Sequence, residues 1–308
     1  MQLMNLIHKK FKTDSLDGSW VITIGNFDGF HVGHQALVNQ VLKDKEAFGA
    51  KGGILTFDPH PKKVLQPKIP FRQIYDDHSK WEFMQKSGLD ACFVIPFTLK
   101  FAGISPMTFV EKLFSFADIK KVIVGYDFNF GKARAGSASL LRLEAEKRNI
   151  EFLRMEAVQI NDITISSTMI RRLLFEGDFE TVGKYLGRPW SVNGKVAEGN
   201  KLGHSLGFPT INVEPSVLLP LRKGVYACQV DVKGKIYDGV ANIGVKPTFG
   251  GEKLKVEMNI FDFNQNIYGE PVKVFPQKFI REEIKFNAIE ELKSQIQKDS
   301  QVAKAFYS

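Results

Sequence analysis

The stretch GNFDGFHVGH, residues 25 to 34, contains two histidines three residues apart, in a chain with only six histidines. It comes directly after a short apolar run. Gly25 and Gly29 allow the backbone to turn sharply where a strand ends. The first amides of the helix that begins near His34 lack partners and carry partial positive charge, which favours a bound phosphate. His31 and His34 share one side of that helix. Their imidazoles are placed to donate hydrogen bonds to a phosphate whose charge rises during a reaction.

Spacing alone leaves other interpretations of this stretch open. The two histidines also fit an ordinary pair at a helix start, or part of a metal site that lacks an obvious third ligand. Asp28, between the glycines and the histidines, is a candidate for binding a magnesium ion or for placing the ligand.

Hydroxyl and basic residues recur in DITISSTMIRRLLFEGD, residues 162 to 178. Ser166, Ser167 or Thr168 is placed to cap a helix, and Arg171 is expected to project from its first turn. Hydroxyls, amides and a guanidinium together form a phosphate grip, although ordinary capping with a solvated arginine explains the stretch equally well. A further polar loop, YDFNFGKARAGS, contains Asp127 and Asn129.

The elements that carry these residues alternate between strand and helix patterns over the first part of the chain. The apolar patterns predict strands at 20–25, 52–57, 91–97 and 121–128 and helices at 34–49, 105–119 and 139–149. Such alternation predicts a parallel sheet covered on both faces. Ligands bind beyond the carboxyl ends of such strands, which is where residues 25–34 and 125–136 fall.

The pattern changes near residue 184. Short β-rich runs with turn residues every 8 to 12 positions predict a small antiparallel barrel or sandwich, and helical spacing predicts a closing helix over 287–308. Between them lies GKVAEGNKLGHSLGFPTIN, residues 194 to 212. Its glycines fit either a loop that brings amides close to phosphates or a plain turn. Thr210 offers a hydroxyl for magnesium, and Asn212 points the same way in an extended segment.

Taken together, these motifs resemble known families. GNFDGFHVGH is similar to the HxGH signature of the nucleotidyltransferase superfamily, and ISSTMIR to its second signature. The stretch ending in GFPTIN resembles the GxxxGxxLGFPTxN region of riboflavin kinases. GVYACQV, GVANIGVKPTF, VEMNIFDFNQNIYG and IREEIKFNAIEEL follow in the order of that family. The whole chain therefore resembles the prokaryotic bifunctional riboflavin kinase/FAD synthetases.

The resemblance implies a fold and two reactions. A Rossmann-like nucleotidyltransferase domain with a parallel sheet is expected at residues 1–183. A small antiparallel β-barrel riboflavin kinase domain with a C-terminal helix is expected at 184–308. The second domain would phosphorylate riboflavin with ATP to give FMN, and the first would adenylylate FMN with a second ATP to give FAD and pyrophosphate. Riboflavin, FMN and ATP are the implied partners, and Mg²⁺ is the implied cofactor.

The resemblance also assigns roles to residues. Catalysis falls to His31, His34, Arg171 and Glu257, although Glu257 also fits a solvent-facing position beside Lys255. The ATP of adenylyl transfer falls to Gly25, Asn26, Phe27, Asp28, Gly33, Ser166, Ser167 and Thr168. Candidates for FMN are Asp127 and Asn129, and candidates for the flavin of the kinase are Arg281 and Phe286. The nucleotide loop of the kinase comprises Gly199, Lys201, Gly203 and Gly207, with Thr210 and Asn212 for Mg²⁺.

Composition narrows the class of protein. The chain has 308 residues, 44% of them hydrophobic and 25% charged, which is typical of globular proteins. No apolar run reaches the roughly 18 residues of a membrane helix, and the N-terminus lacks signal-peptide features, so we expect a cytoplasmic protein. Cys92 and Cys228 have no CxxC partner, so buried free thiols are expected rather than a zinc site or disulfides.

The formal charge of +8 is spread over both parts of the chain without a dense basic block. It permits nucleic acid as well as small phosphorylated substrates, and nucleic acid is the less favoured partner. Two alternatives therefore stay open: an enzyme that retains only one of the two activities, and a flavin- or RNA-binding regulator on the same scaffold. The oligomeric state is left open.

Overall fold

The computed structural model describes residues 5–8, 16–197, 208–248 and 251–308. The chain divides into two compact units. The first comprises the described residues within Met1–Phe71 and Lys80–Ser166, and the second comprises Arg72–Ser79 and the described residues of Ser167–Ser308. The predicted domain boundary between residues 183 and 184 stays a prediction.

The first unit alternates strands and helices. In chain order these are β1 Asn5–His8, β2 Leu16–Ile24, α1 Val32–Ala47, β3 Lys51–Asp58, α2 Pro61–Leu65, α3 Asp77–Gln85, β4 Ala91–Pro96, α4 Leu99–Ala102, α5 Pro106–Phe116, β5 Ala117–Val124, β6 Asn129–Phe130, β7 Gly136–Ser137, α6 Ala138–Glu146, β8 Glu151–Arg154, β9 Gln159–Ile160 and β10 Ile163–Thr164. Helix α3 begins in the segment assigned to the second unit.

Six strands of this unit form one sheet in the order β1-β4-β3-β2-β5-β8. Every adjacent pair is parallel, so all the carboxyl ends lie at one edge. The strand order reverses between β2 and β5, since β3 and β4 follow on one side and β8 on the other. Such a reversal opens a crevice between the loops at the carboxyl ends, where ligands bind.

Both faces of the parallel sheet are covered. Trp20, Ile22 and Ile24 of β2 belong to a core cluster with residues of α5 and α6. Val21, between them, belongs to a second cluster with residues of α1. Because successive side chains of a strand point to opposite faces, the strand is buried on both sides. The predicted parallel α/β layer is thereby confirmed.

The second unit begins with two helices, α7 Ser167–Glu176 and α8 Phe179–Leu186. Its strands are β11 Val192–Ala197, β12 Thr210–Val213, β13 Gly224–Val232, β14 Lys235–Thr248, β15 Gly251–Ile260 and β16 Pro271–Arg281, and α9 Ile289–Tyr307 follows them. The strands form one antiparallel sheet in the order β11-β12-β15-β14-β13-β16, and β11 also pairs with β16.

Burial alternates along β15 of this sheet. In β15, the side chains of Leu254, Val256, Met258 and Ile260 are buried, whereas those of Lys255, Glu257 and Asn259 between them are partly exposed. This period of two separates an apolar face from a polar one. Helix α9 covers part of one surface of β13 and β14, where its Ala303 packs with Val225, Ala227 and Val240.

The segment Arg72–Ser79 joins the second unit through hydrogen bonds that no local pattern predicts. The indole Nε1 of Trp190 donates to the carbonyl of Ile74 at 2.7 Å, and the amide of Gln73 donates to the carbonyl of Leu218 at 3.0 Å. Asn193 Nδ2 donates to Ser79 Oγ at 2.7 Å. These bonds anchor the start of α3 to the second unit.

Among the described residues, no helix is long and apolar enough to cross a membrane.

Candidate active sites

The loop between β2 and α1 is tightly wound. Phe27 and Phe30 have φ of 52° and 43°, in the left-handed region that bulky residues rarely adopt, and Gly29 has φ of 83°. The Phe27 side chain is fully buried among core residues, which offsets the strain of its backbone. Helix α1 begins at Val32, and His31 is its N-cap.

The two histidines of this loop form one compact unit. Their rings stack with centroids 3.6 Å apart and an angle of 19° between planes, and the Phe27 ring packs 5.1 Å from that of His34. His31 is only 6% exposed. A Cβ at Gly33 would lie 3.1 Å from His31 Nδ1, so the glycine gives the His31 ring its space. The structure brings the pair together at the start of the helix, as the i, i+3 spacing predicts.

A second loop starts directly beside the first. Ile24, which ends β2, pairs with Val124, which ends β5. The residues that follow, including Asp127 and Asn129, therefore leave the sheet at the point where the strand order reverses. Both side chains are exposed, and the Asn129 amide donates to the Asp127 carbonyl at 2.9 Å. The Asp127 side chain is therefore open to a ligand.

The neighbouring tyrosine is fixed from its backbone. Arg154, at the end of β8, donates to the carbonyl of Tyr126 through Nε at 2.9 Å and also through its second terminal nitrogen. Burial and the Asp127 carboxylate raise the pKa of Tyr126 above its ordinary value, so this hydroxyl stays protonated at neutral pH and can donate a hydrogen bond.

The second signature is divided between the units. Ser166 ends the first unit, and Ser167, Thr168 and Arg171 lie on α7 in the second. Because α7 begins at Ser167, Arg171 lies at the start of its second turn, and the expectation of the first turn is wrong by one residue. Arg171 Nε donates to the carbonyl of Arg72 at 2.9 Å.

In the second unit, polar side chains gather on one face of neighbouring strands. Thr210 and Asn212 of β12 pair with Asn259 and Glu257 of β15, and directly opposed residues share a face. Asn242 of β14 opposes Glu257 from the other side. Asn259 Nδ2 donates to the Pro209 carbonyl at 2.7 Å. We call these residues, Thr210, Asn212, Asn242, Glu257 and Asn259, the polar face.

Asn212 is the buried member of the polar face. It is 4% exposed, and its Oδ1 has no hydrogen-bond partner among the described residues. A buried acceptor without a donor costs free energy, and a cation coordinated by this oxygen would remove that cost.

Glu257 is held in a fixed orientation. Lys255 Nζ lies 2.5 Å from its Oε1, and the two side chains are 25% and 41% exposed. Both interpretations of the sequence therefore describe part of its surroundings, since it is ion-paired with Lys255 and also opposed to Asn212 across the sheet.

A groove of about 400 Å³ adjoins the polar face through Pro209 and Asn259. Its walls combine three aromatic side chains, Phe208, Phe261 and Phe263, with polar and charged ones that include Asp262 as well as Lys304 of α9. Its mixture of flat apolar surface and polar atoms suits a planar heterocycle.

Arg281, a flavin candidate, makes a close ion pair. Its Nε and a terminal nitrogen donate to Asp299 of α9 at 2.9 and 2.6 Å. The two side chains are 19% and 6% exposed, so the pair joins the end of β16 to α9. Phe286, the other candidate, is partly buried in the connection between these elements.

Both cysteines are buried and free, as predicted. Burial raises the pKa of Cys92 to about 12 and raises that of Cys228 further. Both are therefore thiols at neutral pH, and neither is a nucleophile.

Some predicted residues have no described environment. The predicted nucleotide loop of the kinase, Gly199, Lys201, Gly203 and Gly207, lies outside the described residues. Within the described ranges no group of three or more histidine, cysteine or acidic side chains is arranged to hold a metal ion.

The sequence interpretation missed three polar residues near these sites. Arg72 accepts from Arg171 through its carbonyl. Thr56 and Lys80 hydrogen bond to each other at 3.3 Å and are both buried. A threonine in the apolar run GGILTF was the available signal for Thr56, whereas nothing near Lys80 marks it as buried.

Two family models match this chain. The family model described as FAD synthetase matches residues 13–169, and the one described as riboflavin kinase matches residues 186–307. The first span contains the histidine pair, and the second contains the polar face. The chain thus combines a nucleotidyl-transferring domain with a kinase domain.

Relatives match over the full length. A protein named bifunctional riboflavin kinase/FMN adenylyltransferase from Buchnera aphidicola is 36% identical, covering 100% of this chain and 99% of its own. The protein of the same name from Bacillus subtilis is 35% identical with the same coverage. This chain belongs to the bifunctional riboflavin kinase/FMN adenylyltransferase family.

Among solved structures, a chain from Streptococcus pneumoniae described as a macrolide-efflux protein matches with a TM-score of 0.80 and 30% identity. The match covers 97% of this chain and 98% of that one. The two chains therefore share their fold.

Proposed function

We propose that this chain makes FAD from riboflavin in two ATP-dependent steps, with the polar face serving the kinase and the histidine pair serving the adenylyl transfer. The observation that carries the proposal is the presence in one chain of a stacked histidine pair at a sheet reversal and a Thr/Asn/Glu face on an antiparallel sheet. Each arrangement suits phosphate chemistry, and neither shares a residue with the other.

In the first step, the ribityl 5′-hydroxyl of riboflavin attacks the γ-phosphorus of ATP. Glu257 accepts the hydroxyl proton, the bond to the bridging oxygen breaks, and ADP leaves. The Lys255 ion pair supports this role because it limits the orientations of the carboxylate. A positioned base of this kind contributes about 10²- to 10⁴-fold to rate.

Magnesium fits the polar face. The buried Oδ1 of Asn212 is an acceptor in need of a partner, and Thr210 contributes a hydroxyl oxygen on the same face. Oxygen ligands of this kind suit Mg²⁺, which is usually held by few protein groups together with phosphates. When bound, the ion neutralises charge on the transferring phosphoryl group. Asn212 and Thr210 would hold it.

In the second step, a phosphate oxygen of FMN attacks the α-phosphorus of a second ATP. The α–β bridging bond breaks, and pyrophosphate leaves. The nucleophile is already anionic, so this step needs orientation and charge stabilisation rather than a base. His31 and His34 stabilise the α-phosphate, and the loop residues Gly25, Asn26, Phe27 and Asp28 surround it together with Gly33 of α1.

The remaining predicted residues have supporting roles in this proposal. Ser166, Ser167, Thr168 and Arg171 hold the β- and γ-phosphates of the second ATP. Asp127 and Asn129, exposed beside the sheet reversal, contact FMN. Arg281 and Phe286 border riboflavin, and the 400 Å³ groove takes the adenine of the first ATP.

The wider architecture follows the same assignment. We propose that the first domain, to residue 183, is Rossmann-like. The six antiparallel strands of the second, from residue 184, would then form a small barrel, an arrangement that the pairing of β11 with β16 supports. Since both steps consume ATP, we place the reaction in the cytoplasm.

Product analysis tests the division of labour. His31→Ala should lower the rate of FAD formation from FMN by about 100-fold and leave FMN formation from riboflavin unchanged. Glu257→Gln should lower FMN formation by about 100-fold and leave FAD formation from added FMN unchanged. Both products are separated by chromatography after incubation with ATP and Mg²⁺.

Matched controls exist for both substitutions. His78→Ala removes an exposed histidine of α3, and Glu270→Gln removes a carboxylate that pairs with Lys233 on the surface. Neither should change either rate. If one site variant abolished both activities while its thermal unfolding matched the wild type, the assignment of one reaction to each site would be wrong.

The same assay separates the alternatives. An enzyme with one retained activity would form only one of the two products. A regulator would turn over neither substrate and would bind RNA with a steep dependence on salt concentration, because each phosphate contact releases counterions.

A further inference from the structure

Lys80 is a buried lysine that neither proposed reaction uses. It lies in the first turn of α3, is 9% exposed, and its Nζ lies 4.7 Å from the centroid of the Trp81 ring. Lysine is among the residues least often buried, and removing an ammonium from water is costly unless it is hydrogen-bonded. A buried position therefore indicates that the ammonium has a specific partner.

The hydroxyl of Thr56 is one such partner. The Nζ to Oγ1 distance is 3.3 Å, and Thr56, near the end of β3, is fully buried. Thr56 Oγ1 in turn lies 3.4 Å from the carbonyl oxygen of Asn26. Both bonds are long, and they form a chain of three groups from α3 to the loop after β2.

The chemistry of the three groups fixes which one donates and which one accepts in each hydrogen bond. An ammonium only donates, and a carbonyl only accepts. The single hydroxyl proton of Thr56 must therefore point to Asn26, while a lone pair of the same oxygen accepts from Lys80. A cation that donates to a hydroxyl makes it a stronger donor, so the second bond is strengthened by the first.

The hydrogen bonds from Lys80 through Thr56 to Asn26 hold the first residues of the loop that carries the histidines. The amide of Gly25 donates to the carbonyl of Leu55 at 3.1 Å, and the carbonyl of Asn26 accepts from Thr56. Two successive residues of β3 thus fix two successive residues of the loop. The next residue, Phe27, has the left-handed φ of 52° that redirects the chain toward His31.

We propose that Lys80 is a positioning residue of the adenylyl-transfer site, acting through Thr56 on the carbonyl of Asn26 and so on the path of the loop that carries His31 and His34. The inference rests on the proposed function of that loop. It assigns Lys80 no contact with substrate. Lys80 affects the position of the histidines when charge develops at the α-phosphate. Its loss should therefore change kcat more than KM.

The test compares substitutions of similar shape in the full-length protein. Lys80→Met keeps an unbranched apolar side chain one atom shorter and removes the donor, Thr56→Val keeps the shape and removes the hydroxyl, and Thr56→Ser keeps the hydroxyl. We expect Lys80→Met and Thr56→Val each to lower kcat for FAD formation at least tenfold, with less than a threefold change in KM for ATP. Thr56→Ser should restore most of kcat, and riboflavin kinase activity should be unchanged in all three.

The double variant decides whether the two residues act together. If Lys80 acts through Thr56, Lys80→Met combined with Thr56→Val should be no slower than the slower single variant. Multiplied effects would overturn the inference, as would wild-type kcat in Lys80→Met. Parallel loss of both activities with a lower melting temperature would also overturn it, because that result describes a purely structural lysine.

If Lys80→Met does not fold, the comparison of Thr56→Ser with Thr56→Val still tests the inference. Equal kcat in these two variants would show that the Thr56 hydroxyl has no role. The wild type and His31→Ala are assayed alongside. No FAD from the wild type, or full activity in His31→Ala, would refute the proposed function itself. Loss in His31→Ala with full activity in Lys80→Met and Thr56→Val would refute only the role of Lys80.

Discussion

In the proposed adenylyl transfer, each histidine at the start of α1 depends on its neighbours. The stacked rings of His31 and His34 limit each other's rotation, and the buried ring of Phe27 packs against that of His34. Preorganised donors need not reorganise when charge develops, which is the main source of their catalytic effect. The stack therefore matters as much as the identity of either residue.

The buried cysteines link single residues to the pH dependence of stability. The pKa of Cys92 rises from its ordinary value of 9.0 to about 12 in the folded chain. Above pH 9 the thiol of the unfolded chain loses its proton while the native thiol keeps it, so the unfolded state binds fewer protons and the free energy of unfolding falls. Below pH 9 this contribution is constant.

We therefore predict that Cys92→Ala loses less stability than the wild type between pH 8 and pH 10.5, by about 2 kcal/mol. Urea unfolding followed by circular dichroism at both pH values measures the difference. Other groups titrate in both proteins, so their effects cancel. An identical loss in the two proteins would contradict the burial of a protonated thiol.

Residue types and spacing predicted the histidine pair, since i, i+3 is a property of any helix start. They did not predict the partners that lie far apart in sequence. The carbonyl of Arg72 accepts from Arg171 across 99 positions, and Lys80 meets Thr56 across 24. Such contacts depend on how elements pack, and no local pattern contains that information.

At the scale of elements, the first turn of α1 contains Gly33, a residue type that does not favour helices but that the site requires. Alanine is the better helix former, yet Gly33 is the residue that leaves room for the His31 ring. Local helix stability and the geometry of the site therefore oppose each other at this position, which offers a way to separate them.

Gly33→Ala should leave thermal stability equal or slightly higher and lower kcat for FAD formation about tenfold, because small displacements of catalytic groups are costly. FMN formation should be unchanged. Gly183→Ala, inside α8, is the control, since the nearest atom to its Cβ is 3.8 Å away. It should raise stability by about 0.5–1 kcal/mol and change neither rate. Full FAD activity in Gly33→Ala would show that the ring tolerates displacement.

Helix α9 is joined to the antiparallel sheet by the pair Arg281–Asp299. Asp299→Ala should lower the free energy of unfolding by about 3 kcal/mol, because it leaves a largely buried guanidinium without its carboxylate. Glu180→Ala, which breaks the exposed pair with Lys184, should cost less than about 0.5 kcal/mol. Denaturant unfolding of both variants gives the comparison, and similar losses would mean that the Arg281 pair is solvated.

Strong periodicity predicted most of the longer elements of the first unit, with limits that shifted by a few residues. The strand expected at 121–128 runs from Ala117 to Val124, and the helix expected at 105–119 ends at Phe116. Those shifts share one cause, since the chain enters the sheet earlier than its β-rich run begins. Helix α3 was not predicted, because DHSKWEFMQ has little apolar periodicity.

At the scale of the whole molecule, the order of the motifs along the chain does not coincide with the division into two compact units. The motif order along the chain predicted a parallel layer followed by antiparallel strands, and both are present. The eight residues Arg72–Ser79 nevertheless belong to the second unit, because Trp190 and Asn193 bind them. A long-range association of this kind leaves no trace in composition, so the sequence could not predict it.

The two-step scheme makes a definite statement about the origin of each phosphorus atom in the product. The phosphate of FMN derives from the γ-phosphate of the first ATP, and the adenylyl phosphate derives from the α-phosphate of the second. Starting from riboflavin, γ-labelled ATP should therefore label both flavin products, FMN and FAD, whereas α-labelled ATP should label FAD and leave FMN unlabelled. Label in the β-position should appear only in ADP and pyrophosphate.

The site variants sharpen this prediction. With γ-labelled ATP, His31→Ala should accumulate labelled FMN with little FAD, because adenylyl transfer fails after the kinase step has succeeded. When Glu257→Gln is given unlabelled FMN and α-labelled ATP, it should form labelled FAD at the wild-type rate. FAD that carried the α-label but no γ-label in a reaction begun from riboflavin would mean that the flavin phosphate has another source, and the sequence of two ATP-dependent steps on this chain would be wrong.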